Sequence, residues 1–453
     1  MLKLHLGIVV LLGFFIVSSC VASIESSARA SSSADDWPMF HHDLTHTGYS
    51  NSIPVPTSAS LLWNYTTGSV VGASPAVVDG YVFIPSTDGS MYCLDALTGA
   101  QIWNFTIQAN TFRQKAILSS PSVTNGYVYF GGYDNYIYCL DASTGAKVWD
   151  FSTRDAVGSA PAVAEGLVYV GSWDGDVYCL DALTGEKIWN YTTGSLVDSS
   201  PAIVNDRVYV GSVDGNVYCL DALTGEKIWS YTTGNIVQSS PAVVDGRLYI
   251  GSEDNNIYCL NASTGEKLWN YTTQGWVDSS PAVANGYVYV GSLALDTEET
   301  YLPSNVYCFD AVSGEKIWNY TTKDGVNSSP AIAGGYVFVG GWDNTVYCLD
   351  ASTGAEVWSY ATGNHINSSP AIANGIVYVG SWDHNVYAFG VPEAAPSPSP
   401  SPVQSVSPSD QTTSSPTTQS TQPLSVETIY LLAAIIVAVL IVAAIVILKR
   451  KKH

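Results

Sequence analysis

Residues 181–190 read "DALTGEKIWN", and residues 221–230 read "DALTGEKIWS". The same phrase returns at a fixed interval, so the chain is a repeat and its period must be read first. The tryptophan that closes each copy falls at Trp63, Trp103, Trp149, Trp189, Trp229, Trp269, Trp318 and Trp358, at intervals of 40, 46, 40, 40, 40, 49 and 40. A Ser/Ala-Pro step recurs with it, at Pro75, Pro121, Pro161, Pro201, Pro241, Pro281, Pro330 and Pro370. Within residues 199–233, "SSPAIV" reads as a short apolar strand and "VYVGS" alternates with period two. "VDGN" is a hairpin signal, "VYCLDA" is a third strand, "LTGE" turns the chain and "KIWSYTT" is a fourth strand. Four short strands per unit of about 40 residues predict a β-propeller blade.

The ends of the repeat decide how it closes. A tryptophan strand at residues 61–67 precedes any of its three partner strands, and the last unit, 368–390, has three strands with no tryptophan strand after it. The spacing therefore predicts an all-β, eight-bladed propeller over residues 61–390 with 3+1 strand closure, entered through residues 35–60. Seven cysteines, Cys93, Cys139, Cys179, Cys219, Cys259, Cys308 and Cys348, occupy one position of the third strand, where the last unit has Ala388. Equivalent positions on different blades lie too far apart for disulfides or a metal cluster, so these read as small buried residues.

Composition places the propeller. Hydrophobic residues are 46% of the 453-residue chain and charged residues only 12%, with a formal net charge of −22. So acidic a surface repels phosphate backbones, which excludes nucleic acid as a partner. Residues 1–22 carry a basic start, an apolar run and small residues, the layout of a signal peptide; residues 17–20 also resemble a lipobox ending on Cys20. Residues 391–428 are rich in Pro, Ser and Thr and read as an extended stalk. Residues 429–448 hold twenty residues without a charge, long enough to form a transmembrane helix, and 449–453, "KRKKH", form a basic cytoplasmic tail. The expectation is a single-pass cell-membrane protein whose propeller, sparse in charge for a cytosolic protein, stands outside the cell.

The residues also carry a resemblance. "CLDALTGEKIW", residues 179–189, resembles the tryptophan-docking motif A-x-D-x-x-T-G-x-x-x-W of quinoprotein propellers, with Cys in the Ala position. Most units repeat it; Asn261 replaces the Asp in one, and "VSG" stands in for "xTG" in another. The opening "DDWPMFHHDLTHTGYS", residues 35–50, resembles the usual entry into that fold. The chain, over residues 37–390, looks like a PQQ-like β-propeller repeat protein. That family holds dehydrogenases that bind pyrroloquinoline quinone and calcium on the top face, and cofactor-free scaffold lipoproteins that help assemble outer-membrane proteins. The dehydrogenases' vicinal Cys-Cys pair and pocket-building insertions are missing here, so no catalytic residue is carried across, no metal site is assigned and no cofactor is expected.

Function is sought where the repeats disagree. Before the Pro step the units carry Gly72, Leu118, Gly158, Asp198, Gln238, Asp278, Asn327 and Asn367. The last five offer polar groups at one mouth of the channel, able to hold a sugar, cation or peptide or simply to form a solvated rim. The hairpin between second and third strands, on the same face, carries Tyr133, Trp173, Trp342 and Trp382, each followed by Asp. These aromatics suit protein or carbohydrate contact, or else lie over their own blades. One insertion stands out, acidic residues 293–303. Histidines 41, 42, 46, 365 and 384 come from segments that closure brings into one sector, without a standard ligand spacing. Asp174-Gly-Asp176 is too short for a calcium loop. Sequons at Asn64, Asn104, Asn190, Asn261, Asn270 and Asn319 suit glycosylation of the outer strands; those at Asn327 and Asn367 are followed closely by Pro. The leading expectation is a monomeric, non-catalytic binding or scaffold propeller for envelope proteins or glycans. The alternatives are a PQQ- and calcium-dependent dehydrogenase and a structural envelope component.

Overall fold

Each copy of the repeated phrase becomes the joint between one blade and the next. A computed structural model describes residues 35–109, 111–295 and 301–391. The expected leader, Cys20, stalk, membrane span and tail lie outside the described residues, among which no helix is long and apolar enough to cross a membrane.

Eight antiparallel sheets follow one another in chain order. We number them blades 1 to 8, beginning with the sheet whose innermost strand is Ala76–Val78. Blade 4 shows the pattern: Ala202–Val204 innermost, then Arg207–Gly211, Asn216–Asp221 and Lys227–Thr232 outermost. The first two strands are joined by a tight turn with two residues at positive φ, Asn205 and Asp206 here and mostly Asn/Asp-Gly elsewhere, the geometry that matches strand twist. Blade 8 takes its outer strand, Leu61–Thr66, from the N-terminal side of the chain, with Trp63 opposite Ala388 and Thr66 opposite Asn385. The 3+1 closure therefore stands, and the propeller forms one compact unit.

The outer strand carries a register shift just before its tryptophan: Cys179 faces Trp189, but Leu180 faces Lys187. This bulge leaves Ile188 outside and turns Trp189 inward. The indole then reaches the following blade. Nε1 of Trp63, Trp103, Trp149, Trp189, Trp229, Trp269 and Trp318 donates to the carbonyl of Ala96, Ala142, Ala182, Ala222, Ala262, Ala311 and Ala351, at 2.9–3.2 Å. Its ring lies flat on the glycine of that blade's Thr/Ser-Gly turn. A Cβ on Gly225, which sits at φ +73°, would come within 2.6 Å of the Trp189 ring. Only glycine satisfies both conditions. The Asp of the same turn is bound internally, Asp181 accepting from Leu183 N, Thr184 N and Thr184 Oγ1. Blade 8 has no such turn, and Trp358 donates instead to Pro56 of the entry segment, at 2.9 Å.

A further ring of hydrogen bonds ties the blades. The serine just before the Pro of each Ser-Pro step accepts from the preceding blade's backbone, as in Ser200 N to Ser240 Oγ and Ser369 N to Ser74 Oγ, both 2.9 Å. The seven cysteines are buried and free, as their spacing requires.

The entry segment does more than lead in. Its carbonyls accept from the same innermost-strand amide in blade after blade: Val77 to Trp37, Val123 to Pro38, Ile203 to Leu44, Val243 to Thr45, Val283 to Thr47 and Ile332 to Gly48, all at 2.7–2.8 Å. Ser52 Oγ then accepts from Gly375 N in blade 8. The segment thus circles the channel and covers the inner edges that eight radial sheets would otherwise leave open. His41 and His46 are carried into the interior, 2% and 1% exposed. His46 Nδ1 donates to the Pro241 carbonyl at 3.0 Å. Burial lowers His41 to about 3 and His46 to about 4, with His46 adding repulsion at His41.

Two outcomes follow. Gly246 has φ +72° but open space at its Cβ position, so Gly246→Ala carries backbone strain alone, about 1 kcal/mol. Gly225→Ala adds the clash with Trp189 and should lose ~2 kcal/mol more in denaturant melts; equal losses would refute the indole contact. The buried histidines stay neutral when folded but bind protons when unfolded. Their stabilisation is full above about pH 6.5 and is lost as pH falls toward 4, by up to ~3 kcal/mol each. His41→Asn should therefore lose less melting temperature than the parent between pH 7 and 4.5; parallel slopes would count against neutral burial.

Candidate functional site

The strand order puts two kinds of loop at the end of the channel away from the Thr-Gly turns: the entry into each innermost strand and the hairpin between second and third strands. The entry residues form a ring. Gly72, Leu118, Gly158, Asp198, Asp278, Asn327 and Asn367 are all part-exposed and Gln238 is exposed, as a mouth open to solvent requires. The hairpin residues stand beside them, and Trp173 and Trp342 reach across to the following blade instead of lying over their own. Trp173 Nε1 donates to Asp198 Oδ1 at 2.7 Å, and Trp342 Nε1 to Asn367 Oδ1. Tyr133 packs on Trp173 with ring centroids 4.9 Å apart. Trp382 stands against His365, at 5.8 Å, and beside Gly72. The Asp after each aromatic is structural: Asp174, for example, accepts from Tyr178 Oη and Arg154 N.

The ring is chemically uneven. Blades 4 to 6 contribute carboxylates, Asp198, Asp278 and a residue absent from the sequence expectation, Glu253. Glu253 fills the hairpin slot that holds Trp173 in blade 3, and its Oε1 accepts from Gln238 Nε2 at 3.1 Å. Burial raises Asp198 and Glu253 above the usual carboxylate range. Asp278 is pushed up to about 7, by burial first and then by the charges of Glu253 and Asp198. Blades 7 and 8 contribute amides and indoles. Three polar atoms around the mouth are closed off from solvent without a hydrogen-bond partner: Asp278 Oδ1, Asn327 Oδ1 and Trp382 Nε1. Native proteins seldom strand such atoms, so each marks hydrogen-bonding capacity held in reserve.

Several expectations change. The 46-residue interval holds a second insertion on this face, with a short helix Phe112–Lys115 capped by Thr111; Arg113 places its guanidinium 5.7 Å from the Trp173 ring. The described part of insertion 293–303 is largely anchorage, with Leu293 paired to Trp276. The histidines do not converge: His41 and His46 lie in the channel, His365 contacts Trp342 at the mouth, and His384 is exposed in its hairpin. Among the sequons, Asn64, Asn104, Asn190, Asn270 and Asn319 are exposed on outer strands, while Asn261 Oδ1 caps its turn by accepting from Ser263 N and Thr264 N.

A family profile described as "Outer membrane protein assembly factor BamB" matches residues 55–135, 111–236, 213–299 and 303–394, well over half of the chain. The chain belongs to this PQQ-type repeat family. No curated protein matches the sequence. Solved structures similar to it include a europium-containing methanol dehydrogenase, with TM-score 0.70 and 16% identity over 79% of this chain and 98% of that one. BamB from Moraxella catarrhalis matches with TM-score 0.61 and 20% identity, over 74% and 98% of the two chains. A quinohemoprotein alcohol dehydrogenase from Comamonas testosteroni matches with TM-score 0.68 and 18% identity, over 81% and 82%. At these identities the fold is what is shared.

The PQQ-type family raises the question of whether this mouth suits the quinone. Pyrroloquinoline quinone is a tricarboxylate, and here it would meet the Asp198, Glu253 and Asp278 carboxylates. Calcium to bridge them takes about 6–8 oxygen ligands, and among the described residues no three His, Cys, Asp or Glu side chains are gathered closely enough to hold a metal ion. The acidic arc does not suit the tricarboxylate quinone itself.

Asp278 also makes a stability prediction. Its folded pKa near 7 exceeds the unfolded value of 3.8, so its destabilisation grows as pH rises from about 4 and is complete above about 7, at most ~4 kcal/mol. Asp278→Asn should raise the melting temperature clearly at pH 8 and hardly at pH 4; a loss at pH 8 would contradict the repulsion described.

Proposed function

We propose that this PQQ-type propeller is a non-catalytic binding or scaffold protein that offers the mouth ring to a ligand. The observation that supports this best is the set of three unpartnered polar atoms, Asp278 Oδ1, Asn327 Oδ1 and Trp382 Nε1, around one open, aromatic-walled mouth. Binding sites join apolar walls to a few converging polar groups in this way. The leader, stalk and apolar span read from the sequence support display at a cell membrane, propeller outward and basic tail inward, with envelope proteins or glycans as ligands. The exposed sequons on the outer strands suit a glycosylated rim around a monomeric propeller.

A dehydrogenase is the second reading, favoured by the likeness to the two dehydrogenase structures and weakened by the poor fit of the quinone. A structural envelope component is the third. The propeller unit, titrated with pyrroloquinoline quinone and calcium and assayed for dye reduction with alcohols and sugars, should show neither stoichiometric binding nor turnover. On glycan and envelope-protein arrays it should bind saturably, with binding lost in Trp173→Ala and Trp382→Ala. Turnover would make it an enzyme; array binding indifferent to both substitutions would remove the mouth from its function.

A further inference from the structure

We infer that the group this mouth accepts is an organic ammonium, as carried by a polyamine or by the lysine side chain of a peptide. The inference rests on the mouth being a binding site and adds the chemistry of its ligand.

The first argument is an excess of acceptors. Asp278 and Asn327 occupy equivalent entry positions on neighbouring blades, and an oxygen of each is enclosed without a donor. Enclosing two such oxygens without a protein partner is unfavourable by ~1–3 kcal/mol apiece, and a hydrogen-bond donor relieves both. The ligand that completes this side must therefore bring N–H or O–H groups.

Charge narrows the choice between them. Asp198, Glu253 and Asp278 come from three successive blades and face one part of the mouth, where the fields of Asp198 and Glu253 reach Asp278. Among the described residues none of the three is in an ion pair. Neutral hydroxyls would satisfy the acceptors and leave the repulsion in place, whereas an ammonium satisfies both with three donors. A bare metal ion would also answer the charge, but no group of three close ligands exists among the described residues.

The walls give an independent indication. Tyr133 and Trp173 form a continuous aromatic surface beside the acidic arc, and the chain has already set a cation on it: the Arg113 guanidinium over the Trp173 ring. Aromatic faces attract organic cations by their quadrupole, more strongly as water is excluded. An alkylammonium would lay its methylenes against such rings while its nitrogen meets the acids.

Calorimetry on the propeller unit tests this with spermidine, a lysine-containing hexapeptide, its Nε-acetylated form and the neutral sugar maltotriose. Saturable binding of spermidine or of the unmodified peptide supports the inference, and the better binder identifies the source of the ammonium. Asp278→Asn, expected to fold at least as well as the parent, should weaken that binding about tenfold or more. Glu186→Gln, which removes a carboxylate from the exposed far face, should leave it unchanged. Equal loss in both variants would reveal a response to the net charge alone and overturn the inference. Acetylated peptide binding as well as its parent would overturn it too. Maltotriose binding that depends on Trp382 would overturn the ammonium while leaving the mouth as a binding site. Failure of every probe, together with array binding indifferent to the mouth variants, would remove both.

Discussion

The structure depends on one contact, an indole laid on the backbone of the next blade. Seven of the eight docking tryptophans both hydrogen-bond an alanine carbonyl and cover a glycine that has no room for a side chain. The contact sets how closely neighbouring sheets pack, and seven such joints, with Trp358 on the entry segment as the eighth, bring the eighth blade back to the first. That geometry explains why the sequence repeats where it does. A turn that must accept an indole cannot drift, whereas a loop at the other end of the blade can.

Closure uses the chain's own start twice. Residues 61–66 supply the missing outer strand, and the preceding segment supplies the Pro56 carbonyl for Trp358, the one docking tryptophan with no turn ahead of it. On its way that segment binds six innermost strands and fills the channel's interior with side chains, His41 and His46 among them. The repeats differ most at the other mouth, where no joint constrains the residues.

Much of this was legible because a repeat makes its exceptions visible. The tryptophan spacing gave the blade count, the unequal ends gave the closure, and Ala388 in the cysteine column marked the blade that borrows a strand. Comparing units at one loop position found Asp198, Gln238, Asp278, Asn327 and Asn367. The same comparison at the hairpin selected aromatics and so passed over Glu253, which shares their register. Arg113 was hidden in six extra residues whose short helix has no periodic signal. The route of the entry segment was not legible, because it bonds through backbone carbonyls that any sequence carries. The histidines misled for a related reason: shared position around the ring says nothing of depth along the channel.

The most direct test of the closed ring is a thermal melt of the propeller unit with and without residues 61–67. If the N-terminal strand completes blade 8 and its Trp63 docks on blade 1, the deletion exposes an edge, removes a joint and lowers the melting temperature sharply. An unchanged melt would mean that the ring is not held shut by its own N-terminal strand.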